Sequence, residues 1–171
     1  ALYSAKSGGT KTTDERFIPA EIQAALNDFF APAGPPAIVL ENFPVDPHLP
    51  GIPADGMRPA NKEAVSEAII TGLLCQTGEL LSFINEKSGS PIHEVTPIPG
   101  REGTQSNAGR VQFGFHSDNA FLPSWFKQEG ILLYGLLNEA TATTVVTADQ
   151  ILAAAPPELA DLLSQPIFRH A

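Results

Sequence analysis

The residues whose types and spacing are best suited to chemistry are His116 and Asp118, on either side of Ser117. They follow the stretch Arg110–Phe115, in which apolar and polar residues alternate as in a half-buried β-strand. Because strand residues i and i+2 point to the same face, this pattern brings one imidazole and one carboxylate together. Such a pair supplies two of the three ligands of the 2-His-1-carboxylate sites that hold non-haem iron. We therefore predict that His116 and Asp118 are catalytic metal ligands.

The spacing alone is weak evidence for a metal site. A chain of 171 residues with 4 histidines and 19 acidic residues can contain a His-x-acid spacing by chance. The alternative is that His116 and Asp118 hydrogen-bond to each other around a turn and bind no metal.

The elements that would position this pair are predicted from the spacing of apolar residues. Helical spacing predicts helices over residues 19–30, 61–81 and 147–164, the last interrupted by Pro156 and Pro157. Thr147 and Gln150 form a capping-box pattern at the start of that last helix. Short apolar or alternating stretches predict strands over residues 37–40, 92–98 and 110–115. Residues 130–137 could form a buried strand or a short helix, and their length and flanking loops favour a strand.

Composition excludes several classes of partner. Hydrophobic residues make up 43% of the chain, which is typical of a globular protein. The net charge is -9 and no Lys/Arg cluster is present, so we expect no nucleic-acid partner. No segment approaches the roughly 20 apolar residues that a membrane span needs, so we expect no membrane partner.

The only cysteine, Cys75, excludes an internal disulfide, which fits a reducing compartment and predicts a cytoplasmic location. Cys75 ends an apolar helical stretch that starts at Ala68, so a buried, unreactive thiol is expected.

Four short motifs occur in an order that is typical of one enzyme family. They are Pro36–Asp46, Ile92–Pro97, Phe115–Phe121 and Ala142–Val145. In this order they resemble the clavaminate synthase-like branch of the taurine dioxygenase superfamily, which includes free arginine, lysine and asparagine hydroxylases. The likeness covers most of residues 30–170, and the order of the motifs makes it more specific than any single motif.

The resemblance implies a fold. It implies an α+β protein built on a double-stranded β-helix, or jelly roll, with helices packed outside. Residues 1–16 are then expected to be a polar leader, and residues 17–171 the N-terminal portion of a single jelly-roll domain whose C-terminal part is absent.

The resemblance also implies Fe(II) as cofactor, 2-oxoglutarate as co-substrate, and O2 with a small-molecule substrate as the remaining reactants. The reaction would hydroxylate an unactivated C–H bond of a free amino acid or a derivative. Thr144 matches the threonine that binds the oxoglutarate carboxylate, and Gln105 and Ser106 fall where the family contacts its substrate. Glu86 and Lys87 stand where amino-acid hydroxylases often carry glutamines, which leaves the identity of the substrate open.

The third metal ligand is the open part of the site. His170 lies 54 residues after His116, a spacing that some members of the superfamily use. The segment that ends at His170, however, resembles one that precedes the distal histidine in this branch. The distal histidine and the arginine that binds 2-oxoglutarate are therefore expected beyond Ala171, and residues 1–171 alone are expected to be inactive.

Three alternatives remain beside this reading. A noncatalytic jelly-roll binding module could keep the fold without a complete metal site. A related iron halogenase would carry a small residue in place of Asp118, so the carboxylate argues against it. A hydrolase is disfavoured because the chain has no Gly-x-Ser-x-Gly motif and only one cysteine.

Overall fold

The computed structural model describes residues 2–4, 18–51, 53–137 and 141–167. In these ranges the elements run in the order β1 (Leu2–Ser4), α1 (Ala20–Phe29), α2 (Val65–Thr77), β2 (Leu81–Phe83), α3 (Ala148–Ala154) and α4 (Pro157–Leu163). Two short 3₁₀ turns, Lys87–Gly89 and Ser124–Phe126, lie between β2 and α3. Apart from residues 2–4, the predicted leader lies outside the described residues.

The two longer helices form as their apolar spacing predicts. Leu26 of α1 is buried, and Leu73 is buried on α2. Helix α1 contacts α2, and each helix buries one leucine. The helices are shorter than predicted, above all α2, which begins at Val65 and ends at Thr77, before Gly78.

Cys75 is exposed, so the expectation of a buried thiol is wrong. The reason is its position on α2. Successive helix residues are 100° apart, which places Cys75 about 200° around the helix from the buried Leu73. The apolar stretch therefore predicted the helix correctly, but it did not predict on which side of the helix Cys75 lies.

The start of α2 is stabilised by a carboxylate that lies far away in the sequence. The residue at the N-cap position is Ala64, whose side chain cannot accept a hydrogen bond. Instead, Asp46 accepts hydrogen bonds from the backbone N–H groups of Val65 (3.0 Å) and Ser66 (3.2 Å). The loop that carries Asp46 is thereby fixed to the helix.

The only ladder among the described residues is the antiparallel pair β1–β2, in which Tyr3 is opposite Ser82. The four stretches predicted as strands, 37–40, 92–98, 110–115 and 130–137, form no ladder there. A strand needs a ladder of backbone bonds to a neighbour, and among the described residues these stretches make only isolated ones, such as Ile98 N–H to the carbonyl of Ala108 at 2.9 Å. Two short strands do not test the jelly-roll fold, which stays a prediction.

Residues 130–137 nevertheless show the alternation of a strand. Leu132, Tyr134 and Leu136 are half-buried, whereas the side chains between them are exposed, Leu133 by 68%. Tyr134 donates a hydrogen bond to the carbonyl of Pro44, and the backbone at Gly130 lies against the ring of Phe30. One face of this segment therefore lies on the rest of the protein and the other faces solvent.

No helix within the described ranges is long and apolar enough to cross a membrane.

Candidate functional site

The side chains of His116 and Asp118 lie close together. Nε2 of His116 is 3.3 Å from Oδ1 of Asp118, and the two side chains are 46% and 48% exposed. Adjacent ligands of an octahedral ion with bonds of about 2.1 Å are about 3 Å apart, whereas opposite ligands are about 4.2 Å apart. The observed separation is that of two adjacent ligand positions, and the exposure leaves both atoms accessible to an ion from solvent.

A backbone carbonyl determines which nitrogen carries the proton in the neutral His116 ring. Nδ1 lies 2.8 Å from the carbonyl oxygen of Gly114. A carbonyl can only accept a hydrogen bond, so Nδ1 carries the proton and donates it. In the neutral ring, Nε2 then presents a lone pair to the carboxylate of Asp118. The two groups repel each other unless a proton or a metal ion lies between them, and donation from the other ring nitrogen is typical of metal-bound histidines.

The ring of His116 is also held from the side. The centroids of the Phe113 and His116 rings are 4.2 Å apart, and the rings are tilted by 42°. These contacts to Gly114, Phe113 and Asp118 all lie within residues 113–118. The pair fits two positions of an iron site, and its local construction explains why the sequence spacing brought these side chains together.

The pair lies at the start of a turn and not within a strand. Residues 118–121 form the turn, and Asn119 adopts a φ of 52°. The backbone N–H of Leu122 donates to the carbonyl of Asn119 at 2.9 Å. The alternative reading, a contact around a turn, therefore describes the backbone correctly, and metal ligation by the pair stays a prediction.

Among the described residues, no group of three or more His, Cys, Asp or Glu side chains could hold a metal ion. Nε2 of His93 donates a hydrogen bond to the carbonyl oxygen of Ser90, at 2.8 Å. His48 is 89% exposed and lies 3.9 Å from Glu63. His170, the tempting third ligand, lies outside the described residues.

The remaining predicted site residues are not gathered around the pair by hydrogen bonds. Thr144 lies in the exposed stretch 141–145, directly before α3. Gln105 is exposed in the loop after Gly100. The hydroxyl of Ser106 is already used within that loop, since it bonds Thr104 Oγ1 (2.9 Å) and accepts from the N–H of Ala108 (3.2 Å). Substrate and cofactor roles for these three residues stay predictions.

A buried charged network was missed from the sequence. Lys62 Nζ lies 2.7 Å from Glu67 Oε2, 3.3 Å from Asp46 Oδ2 and 2.7 Å from Ser66 Oγ. The side chains of Lys62 and Asp46 are 3% and 0% exposed. Arg58 adds a 2.5 Å bond from Nε to Glu67. We call Asp46, Arg58, Lys62, Ser66 and Glu67 the α2 network.

The α2 network keeps its carboxylates ionised. Burial raises the pKa of Asp46, but hydrogen bonds from Ser66, the backbone of Val65 and Ser66, and Lys62 outweigh it and lower that pKa to about 2. Burial likewise raises the pKa of Glu67, and the bonds from Lys62 and Arg58 lower it to about 2. No sequence pattern signalled this network, because the helix was predicted to begin at residue 61 and the uncapped start at Ala64 is visible only in the structure.

A cleft of about 230 Å³ lies beside the α2 network and away from His116. Its lining includes Arg58, Glu67, Lys87 and Glu94. Arg58 and Glu67 are already paired with each other. Lys87 Nζ already donates a hydrogen bond to the carbonyl of Gly56 at 2.8 Å. The cleft therefore offers few free polar groups, and its lining contains none of the predicted site residues.

Comparison with known proteins finds a partial match to a curated enzyme. The chain is 35% identical over 105 residues to the L-asparagine oxygenase of Streptomyces coelicolor. These residues are 60% of this chain but 32% of the relative, so the chain spans about a third of the length of the curated relative it matches. No family model and no solved structure matches the chain. The partial likeness to an oxygenase suggests the same superfamily as the order of the motifs.

Proposed function

We propose that this chain is part of an Fe(II)- and 2-oxoglutarate-dependent oxygenase that hydroxylates a small molecule, a free amino acid or a close derivative. The observation that carries the proposal is the pair His116–Asp118, with Nε2 and Oδ1 3.3 Å apart and Nδ1 of His116 bonded to the Gly114 carbonyl. The name of the relative, an L-asparagine oxygenase, supports the reaction class and the class of substrate. We also propose the jelly roll as the fold of the whole domain.

In this proposal each residue of the pair has one task. Asp118 supplies an anionic oxygen and His116 a neutral nitrogen, a donor set suited to non-haem Fe(II). The carbonyl of Gly114 keeps the proton on Nδ1, so that Nε2 stays free to bind the metal. When held by these residues, Fe(II) would activate O2 for C–H hydroxylation, while 2-oxoglutarate would be decarboxylated to succinate and CO2.

Thr144 is proposed to donate a hydrogen bond to a carboxylate of 2-oxoglutarate. Its exposed position leaves the hydroxyl available. Hydrogen bonds to charged groups contribute about 1.5–3 kcal/mol, so Thr144→Val should weaken the apparent affinity for 2-oxoglutarate by about 10- to 100-fold. An unchanged affinity in this variant would remove Thr144 from the site.

The test of the function measures succinate by mass spectrometry. Purified protein receives Fe(II), 2-oxoglutarate, O2 and one free amino acid at a time, beginning with L-asparagine, L-arginine and L-lysine. Succinate should form only with Fe(II), and one amino acid should gain a single oxygen atom. His116→Ala should abolish both products, because it removes a metal ligand.

Ser117→Ala is the matched control, because Ser117 lies between the two proposed ligands and is exposed. It should retain turnover. Succinate formation that survives His116→Ala at the original rate would refute the proposal.

If residues 1–171 bind Fe(II) through His116 but form no succinate, while a longer protein containing them does, the expectation of an incomplete catalyst holds. Absence of turnover in both would favour the noncatalytic binding module.

A further inference from the structure

The cleft beside the α2 network contains cations whose hydrogen-bonding capacity is only partly used. Its volume is about 230 Å³, below the roughly 300–1,000 Å³ of pockets for drug-sized ligands, so it suits a small molecule. Lys87 Nζ uses one of its N–H groups on the carbonyl of Gly56, at 2.8 Å. Arg58 Nη1 donates to the carbonyl of Pro59 at 3.2 Å and has a second N–H. Both cations therefore keep donors for a ligand.

Glu94 brings the opposite charge to the same cleft. It is half-buried, and among the described residues no hydrogen bond or ion pair engages its carboxylate. A carboxylate that is partly removed from water without a partner is unfavourable. Lys87 also lines the cleft, yet no ion pair joins it to Glu94 in the part of the chain that the structure describes. The two charges therefore share one cleft without neutralising each other.

The backbone around the cleft is held in left-handed conformations. The φ angles are 43° at Lys87, 57° at Ser88 and 81° at Gly89. Gly56, whose carbonyl accepts from Lys87, has a φ of 65°. Consecutive left-handed residues other than glycine are strained, and such strain clusters where a protein holds a ligand. The bond to Gly56 fixes the Lys87 ammonium on this strained turn, where it stays unpaired with Glu94.

We propose that this cleft binds a small zwitterion, a free α-amino acid with a short side chain. The ligand carboxylate accepts from Arg58 and Lys87, and the ligand ammonium donates to Glu94. Arg58 is balanced by Glu67, and Lys87 and Glu94 add one charge of each sign, so the charged residues of the lining sum to zero. A ligand with one charge of each sign matches this lining, whereas an anion or a cation alone leaves one group unpaired.

The site goes beyond the proposed function, because neither of the proposed metal ligands lines the cleft. Binding there needs no metal. The test is therefore a titration of metal-free protein, kept in a chelator, and it gives a result whether or not succinate forms in the test of the proposed function.

The first measurement follows the backbone amide signals of Met57, Lys87 and Glu94 by NMR as L-alanine is added. These signals should shift and saturate with a Kd of about 1–10 mM. Two comparators each lack one charge: propionate has no ammonium, and L-alaninamide has no carboxylate. Each should bind about tenfold more weakly or less, because each loses hydrogen bonds to a charged group.

The second measurement assigns the ammonium contact. Glu94→Gln keeps the shape of the side chain and should weaken L-alanine by about tenfold, while propionate stays within about twofold. Glu102→Gln is the matched control, because Glu102 is exposed and lies outside the lining. It should leave the affinity for L-alanine unchanged. Unshifted amide signals far from the cleft show that each variant is folded.

Three results would overturn the proposal. The first is the absence of saturable shifts at about 100 mM L-alanine, far above the expected Kd. The second is that Glu94→Gln weakens propionate as much as L-alanine, because Glu94 would then not be the partner of the ammonium. The third is loss of L-alanine binding in His116→Ala, which would place the amino acid at the proposed metal ligands and not in this cleft.

Discussion

Residues 18–108 and residues 109–167 of this chain are built in different ways. Within the described part of the chain, every buried side chain lies in the first region, including Leu26, Leu73 and the charged pair Asp46–Lys62. The second region has no buried residue in its described ranges, and Trp125 is 78% exposed. The first region is held by contacts between residues that are distant in sequence. The second has fewer such contacts, at Tyr134 and Gly130, and its His116–Asp118 pair is shaped by near neighbours.

The proposed metal ligands lie in the second region, where local contacts suffice. Gly114 and Phe113 orient His116, and Asn119 turns the chain after Asp118. Asp46 of the α2 network, by contrast, accepts a hydrogen bond from the N–H of Val65, 19 residues later in the sequence. The comparison teaches that burial and the geometry of the pair have separate origins: the buried side chains lie in the first region, and the geometry of the pair comes from its own short segment.

The largest effect on stability is expected from the α2 network. Asp46→Ala removes the acceptor for two helix N–H groups and leaves the buried Lys62 ammonium with one carboxylate fewer. Breaking a buried charge pair in this way should lower the free energy of unfolding by about 3 kcal/mol. Urea denaturation followed by circular dichroism measures it.

Glu63→Gln is the matched control for Asp46→Ala. Glu63 carries the same charge in the same loop, but its partner His48 is 89% exposed and 3.9 Å away. Exposed pairs contribute little, so this variant should change the free energy of unfolding by less than about 0.5 kcal/mol. Equal effects of the two substitutions would show that the α2 network does not hold the first region together.

Acid should destabilise the first region through the same carboxylates. The pKa of Asp46 falls from 3.8 to about 2 on folding, and that of Glu67 from 4.5 to about 2. The folded state therefore binds fewer protons than the unfolded state, and stability rises with pH in this range. The contribution should be complete above about pH 5 and should be lost progressively as the pH falls toward about 2.

Urea midpoints measured between pH 6 and pH 2.5 test this dependence. In Glu67→Gln one of the two titrating groups is absent, so the midpoint should vary less steeply with pH. An unchanged slope in this variant would contradict the role of Glu67 in acid lability.

Local signals in the sequence predicted local structure well. Helix α1 was expected over residues 19–30 and spans Ala20–Phe29. The capping box at Thr147 is confirmed in both directions, with Gln150 N–H donating to Thr147 Oγ1 and Thr147 N–H donating to Gln150 Oε1. The closeness of His116 and Asp118 was likewise expected, because they are two positions apart in the sequence. In each case the interacting groups are within four residues of each other.

Structure that depends on distant partners could not be predicted in the same way. The alternation in residues 110–115 and the apolar run in residues 130–137 are typical of strands, but a strand also requires a neighbour, which neither pattern specifies. The α2 network joins residues from position 46 to position 67, and no local motif marks them as partners. The error at Cys75 has the same origin, since the buried side of α2 is set by what packs on it.

A smaller effect is expected where the two regions touch. Tyr134 of the second region donates its phenolic hydrogen to the carbonyl of Pro44 in the first. Burial and the charge of Asp46 raise the pKa of Tyr134, so the phenol stays protonated and keeps donating. Tyr134→Phe should lower the free energy of unfolding by about 1 kcal/mol, the usual contribution of a neutral hydrogen bond. An unchanged urea midpoint would show that this contact does not connect the two regions.

The smallest effect is expected on the outward face of residues 130–137. Leu133 is 68% exposed, so Leu133→Ser removes few contacts and should change the free energy of unfolding by less than about 0.5 kcal/mol. Leu73, which is 4% exposed, is the comparator in the first region, and Leu73→Ala should cost about 2–4 kcal/mol. Urea denaturation of both variants compares the same residue type in the two regions.

The Leu133 substitution also tests whether the contrast between the regions holds for the protein in solution. A loss of more than about 1 kcal/mol would require contacts that the described residues do not provide at Leu133, because a largely exposed leucine has little buried area to lose. Repeating the measurement at several protein concentrations separates two origins of such a loss. A concentration-dependent midpoint indicates a second copy on this face. A concentration-independent loss indicates contact within one chain, and the second region would then be packed as the first one is.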